Sequence, residues 1–218
     1  MDSLPNPILL IGLMGIMSLA PFIAVLISSF LKIVVVMHMV RSALGLQQSP
    51  PNLAMNGIAI ILSMFIMAPV ASGVYDRFES HNVVLTDIQN PELKAALSDS
   101  IMPVKDFLKR HSSDKERVFF SNATKKLWPE EYAKTATEDH LLVLTSAFLV
   151  SELTSAFEIG FLLYLPFVVI DLIVANILIS MGMIMVAPIM ISLPFKVLLF
   201  VLIDGWSKLT HGLVMSYQ

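Results

Sequence analysis

Long apolar runs without charge flank a single polar stretch, and that pattern predicts the elements of the chain. Residues 8–31 carry no charge. A helix needs about 20 residues to cross a hydrocarbon core, so this run reads as a first hydrophobic helix, with Pro21 as its expected kink. Lys32, His38 and Arg41 follow with no acid among them, and the amphipathic segment 32–46 predicts continuation of the same helix past the membrane boundary. The turn Gln47-Gln-Ser-Pro-Pro-Asn52 leads into a second uncharged run, 53–75, which closes a helical hairpin over residues 1–75.

The composition changes at Asp76. Residues 76–140 hold ten Lys or Arg and twelve Asp or Glu, with Pro91, Pro103 and Pro129 as punctuation. They read as a soluble insert with short amphipathic helices at 90–97, 104–110 and 113–120, each with apolar residues three and four apart. So small a group cannot bury a large core of its own, and it is expected to pack on copies of itself or on the apolar helices. Residues 141–218 form a second hydrophobic hairpin. Helices are expected at 141–155, within 158–184, and from Pro188 to Asp204, the last running on to Met215. Short basic loops favour the cytoplasmic side. Lys32, Arg41 and Lys196 therefore place both hairpin links there, giving four spans with both ends and the insert on the far side.

Composition agrees with this membrane class. Of 218 residues, 56% are hydrophobic and 14% charged, against about 25% charged in ordinary soluble domains, and the mean hydropathy is +0.78. The expected fold class is an all-α membrane protein of helical hairpins with a small α-helical extracytoplasmic insert. Cysteine is absent, which removes disulfides, thiolate metal sites and cysteine nucleophiles. A net charge of −3 argues against a nucleic-acid partner of the polybasic kind. The five histidines lack zinc spacing. Gly160 and Gly182 stand outside any phosphate loop, and no serine lies in a Gly-x-Ser-x-Gly context. Neither a cofactor nor enzyme chemistry is expected. The start lacks the basic region of a secretory signal, so the first apolar run is expected to be retained.

Candidate chemistry lies in charges set among apolar residues: Glu152, Glu158, Asp171, Lys196, Asp204 and Lys208. An unpaired ionised group at such positions costs several kcal/mol, so these residues are expected to be paired or to line a wet path. Asp204 and Lys208, four apart, fit one helix face and mutual satisfaction. Asp171 and Lys196 fit pairing across the hairpin. The general reading is that these charges lock helices or subunits together. The alternative is a proton-coupled transporter working through Glu158 and Asp171.

A second candidate is the run Ser180-Met-Gly-Met-Ile-Met-Val-Ala-Pro188, inside the longest apolar segment. Glycine and proline loosen a helix there. Irregular backbone at membrane depth is tolerated only where protein buries it or where it lines a cavity, and methionine is the most deformable apolar side chain. Taken by itself, the run reads as packing at a bend.

Four ordered motifs change that reading. Ser29-Phe-Leu-Lys-Ile-Val-Val-Val with Arg41-Ser-Ala-Leu-Gly-Leu-Gln-Gln-Ser-Pro-Pro-Asn52 resembles the first signature of the R subunit of the type III secretion export apparatus and its flagellar counterpart, the SctR/FliP family. Ser151-Glu-Leu-Thr-Ser-Ala-Phe-Glu-Ile-Gly-Phe161, Leu165-Pro-Phe-Val-Val-Ile-Asp-Leu172 and Leu193-Pro-Phe-Lys-Val-Leu-Leu-Phe-Val-Leu-Ile-Asp-Gly-Trp206 resemble the remaining ones in order. The resemblance covers nearly the whole chain; only the insert, roughly 78–137, carries little signature.

The resemblance implies a pore-forming subunit of a protein-export gate in the bacterial inner membrane. It implies a homo-oligomer, a pentamer, assembled with S and T subunits into a cone of helical hairpins, with U and V subunits and inner-membrane rings around it and unfolded secreted proteins as cargo. The assembled cone would lie largely above the membrane plane, on the periplasmic side, with the insert as its outer collar. Met183, Ile184 and Met185 fall on the family's methionine-rich pore constriction, flanked by Met181, Gly182 and Pro188. The family pattern is Gly-Met-Met-Met, and Ile184 departs from it with a branched, stiffer side chain. Ala187 stands where relatives often have a second proline. The lack of a signal peptide points to an injection-type rather than a flagellar system.

Overall fold

The structure, a computed structural model, describes residues 7–81, 91–133 and 137–218. Ten helices and no strand occur among the described residues. The first hairpin comprises α1 (Pro7–Leu26), α2 (Phe30–Ala43) and α3 (Asn52–Ser80). The insert follows as α4 (Pro91–Ser100), α5 (Met102–His111), α6 (Asp114–Leu127) and α7 (Glu130–Ala133), and the second hairpin as α8 (Leu141–Ser180), α9 (Pro188–Leu202) and α10 (Gly205–Met215).

The first apolar run is not one straight helix kinked at Pro21. Pro21 lies inside α1, and the chain bends by 67° between the 18–26 portion of α1 and α2. Two adjacent serines cause the break. Ser28 Oγ donates to Val25 O at 3.2 Å and accepts from Phe30 N at 3.4 Å, and serine that bonds its own backbone competes with the helical ladder. Ser29 Oγ, fully buried, donates to Ser63 Oγ of α3 at 3.1 Å and pins the bend. At the other end of α2, Gly45 has φ 78 and Leu46 N donates to Arg41 O at 3.2 Å, which closes the helix in a left-handed cap.

Beyond the bend, α2 is the centre of the molecule. Ile33, Val36, Met37, Val40 and Ala43 are buried at helical spacing against Met55 and Ala59 of α3, Ala156 and Phe167 of α8, Phe200 of α9, and Leu209 and Leu213 of α10. Lipid tails are as apolar as leucine, so helices there associate through close packing rather than water exclusion. Ala156 and Gly160, one turn apart on α8, supply that closeness. A Cβ on Gly160 would lie 2.4 Å from Met39 Sδ, so any larger residue there has to displace the Met39 side chain.

α8 is a single helix of 40 residues, not two helices meeting near 155–158, and Pro166 does not break it. At about 1.5 Å per residue it is about 60 Å long, twice the thickness of a hydrocarbon core. Its first turns are spent elsewhere: Leu144 and Phe148 form a second core with Phe107 and Leu108 of α5. The insert thus packs on α8 and α3, where Arg77 also pairs with Asp99 of α4 at 3.1 Å. Ser113 starts α6 by accepting from Glu116 N at 3.3 Å, as the Ser-x-x-Glu spacing dictates. By length and composition α3 and α8 can each cross a membrane, and the bent pairs α1–α2 and α9–α10 make up to four spans.

Candidate functional site

The methionine run is the turn of the α8–α9 hairpin. Its glycine and proline do not loosen one helix; they end one and begin the next. Met183 N donates to Leu178 O and Gly182 N to Ile179 O, both at 2.9 Å, a capping pattern that requires a left-handed residue, and Gly182 has φ 74. Pro188 takes the first turn of α9, where a backbone N–H would have no helical partner. Between these stops the side chains point away from the fold. Ile184 is 80% and Met185 101% exposed, with Met181 and Met183 exposed beside them. The hairpin tip therefore presents long apolar side chains with none of the described residues over them.

A partly buried charge cluster braces this hairpin. Lys196 of α9 donates to Asp171 Oδ2 of α8 at 2.6 Å, and Ser192 Oγ donates to Asp171 Oδ1 at 2.5 Å. Lys196 is almost fully buried and also donates to the carbonyl of Ala43 at 3.1 Å. Ala43 is the last residue of α2, where carbonyls lack helical partners and the helix dipole is negative, so a cation there is doubly favoured. Asp171 lies nine residues before the end of α8, so the bracket sits about 14 Å below the loop.

The other end of α2 carries a second bracket. Lys32 Nζ lies 2.8 Å from Glu152 Oε1, with side chains 5% and 3% exposed. Tyr217 closes it: its hydroxyl donates to Glu152, and Lys32 Nζ stands 4.1 Å from the centre of its ring. Phe107 stacks on Tyr217 at 6.1 Å and His111 meets it edge-on at 5.0 Å, so residues of the insert grip the same ring. Burial, with the Glu152 charge and hydrogen bond, pushes the Tyr217 hydroxyl pKa up and keeps it a donor. Burial, then the charges of Lys32 and Arg110, pulls His111 down to about 4.

The remaining charges are placed differently. Glu158 is exposed on α8, thirteen residues from Asp171 and about 20 Å along the helix, so the two carboxylates expected of a proton relay are not brought together. Asp204 is not on a shared helix face with Lys208. It sits at the break before α10 with φ 53, where the chain bends by 61°, and no ion pair joins it to Lys208 among the described residues. Lys32, read from sequence as a link charge that sets orientation, is instead a buried partner. Arg41 donates to Pro50 O at 3.1 Å and Asn52 Oδ1 at 2.6 Å and ties down the hairpin turn. A signal for the missed bracket exists: Lys32 and Glu152 are solitary opposite charges in apolar helices, and such charges need each other. Nothing in the spacing marks Tyr217, Ser192 or His111.

Residues 13–213 match the FliP family. The chain is 52% identical over 217 residues to the "Yop proteins translocation protein R" of Yersinia pestis, covering 100% of this chain and 99% of the relative. It is 45% identical over 217 residues to the "Virulence protein YscR" of Salmonella typhimurium, covering 99% and 100%. It is also 45% identical over 201 residues to the "Hypersensitivity response secretion protein HrcR" of Ralstonia nicotianae, covering 92% and 93%. With a family match across both hairpins and the insert and full-length relatives at this identity, the chain belongs to the FliP family.

Proposed function

We propose that this chain is a core subunit of a type III protein-secretion export apparatus, and that its 181–187 loop lines and seals the export pore. The exposed apolar tip of a firmly braced hairpin carries the reading. A solitary chain gains nothing by holding Ile184 and Met185 in the open. In a ring of copies the same side chains would converge on the axis, where a flexible apolar collar closes at rest and deforms around an unfolded chain. The two brackets give the collar a fixed support, because α8 and α9 are tied to both ends of α2. The sequence has no phosphate-binding loop, so energy comes from other components.

The assembly in this reading is a pentamer with S and T subunits, near U and V subunits and the inner-membrane rings. It lies in the bacterial inner membrane and largely on its periplasmic side, and unfolded proteins pass through it. The names of the relatives, which speak of translocation, virulence and secretion, support the secretion role and favour an injection-type system.

The test is conductance of the assembled complex in planar bilayers. Changing Met183, Ile184 and Met185 together to glycine should open a steady leak of small ions, and Ile184→Gly alone a smaller one. Intact assembly with unchanged conductance would remove the loop from the pore.

A further inference from the structure

A cavity of about 420 Å³ opens among α8, α9 and α10, within the range of about 300–1,000 Å³ that holds small ligands. Leu163 and Phe167 of α8, Leu199 and Phe200 of α9, and Leu209 and Gly212 of α10 form its walls, and Val40 of α2 lies against it. The bend at Asp204 opens it, because it turns α10 by 61° from α9. Gly212 widens it: no atom lies within 4 Å of the place its Cβ would take.

Among the described residues, Lys208 is the only one lining the cavity with a polar side chain. Water needs two to four polar partners to be held, so this cavity suits an apolar occupant. Lys208 is exposed and makes no ion pair among the described residues, although Val201, Leu202 and Ile203 nearby are apolar and exposed. A lysine stem lies along apolar surface while its ammonium reaches for a counter-charge, and no ion pair with a described residue supplies one here.

We propose that this cavity binds one anionic membrane phospholipid, with an acyl chain between α8 and α10 and the headgroup phosphate on Lys208. The inference rests on the membrane class of the chain and is independent of any role of the 181–187 loop. Basic sites between membrane helices recognise anionic headgroups by this combination of an apolar slot and a cation at its mouth.

Native mass spectrometry of the full chain in detergent, titrated with phosphatidylglycerol or phosphatidylcholine, tests it. The unaltered chain should retain one phosphatidylglycerol in preference to phosphatidylcholine. Lys208→Gln should weaken phosphatidylglycerol retention roughly fivefold, the contribution of one lysine beside an anionic lipid surface, and leave phosphatidylcholine as before. Gly212→Leu, which fills the cavity, should remove both adducts; Leu163→Trp fills it from the opposite wall and serves the same purpose if the first variant folds poorly. Equal retention of the two lipids, or retention unaffected by filling the cavity, overturns the proposal. So does a filled variant that keeps its lipid but loses oligomer mass, because the cavity would then seat a neighbouring copy.

Discussion

The ammonium of Lys196 reaches the carbonyl oxygen of Ala43 at 3.1 Å across 153 residues of chain. This contact joins the second hairpin to the end of α2, and the Lys32–Glu152 pair joins it to the beginning. Lys32 on α2 and Lys196 on α9 thus both act on one short helix, so α2 behaves as a strut held at two points.

Asp171→Asn should expose the weakness of the upper bracket. The amide keeps a hydrogen bond with Ser192 but leaves the ammonium of Lys196, itself buried, beside a neutral group. Removing one partner of a buried pair costs about 3–5 kcal/mol, and because Asp171 is partly exposed the lower end applies. Thermal unfolding in detergent should show the loss. The double change Asp171→Leu with Lys196→Met should recover much of it, since apolar side chains of similar volume replace such pairs at little cost.

The lower bracket should respond more strongly. Glu152 and Lys32 are both nearly inaccessible, so Glu152→Gln is expected to cost about 3–5 kcal/mol. Tyr217→Phe removes only the hydroxyl that donates to a charged acceptor and should cost about 1.5–3 kcal/mol while the ring stays packed on Phe107. If Tyr217→Phe and Glu152→Gln prove additive in the same melting assay, the hydroxyl and the carboxylate do not act on each other.

His111 makes stability depend on pH. Its folded pKa of about 4 lies below the ordinary 6.5, so between those values the unfolded chain binds the proton more readily. Stability from this residue is complete above 6.5 and is lost as pH falls towards 4. Denaturant midpoints for the unaltered chain and His111→Gln, measured across that window, should converge as the solution is acidified. Parallel curves would mean that the imidazole is freely solvated in the fold.

Gly160→Ala tests the α2–α8 crossing. The added Cβ meets the side chain of Met39 at 2.4 Å, and overpacking of this sort costs about 1–3 kcal/mol. Met39→Ala in the same chain makes room and should return most of that loss. No rescue would mean that the helix backbones, rather than the Met39 side chain, limit the approach.

Charge and hydropathy along the chain already determine the class of this protein. Uncharged runs of helical length, a polar insert and solitary charges are local properties, and a membrane rewards them locally because each helix satisfies its own backbone. The positions of Gly182 and Pro188 mark a stop and a start in the same way, and the motifs around Glu152, Asp171 and Lys196 carry the family resemblance. Breaks set by competition between near neighbours were harder to read. Pro21 is by residue type the stronger helix breaker, yet the bend falls at Ser28 and Ser29, where Ser63 of another helix holds it. Asp171 and Lys196 pair across the hairpin as expected from the sequence, but spacing along the chain does not give the other partners of the charges. Lys32 finds Glu152 and Tyr217, Lys196 finds Ala43, and Asp204 loses Lys208, because pairing follows distance in space, and only the packing of α2 into the cradle of Ala156 and Gly160 decides which charges come within reach.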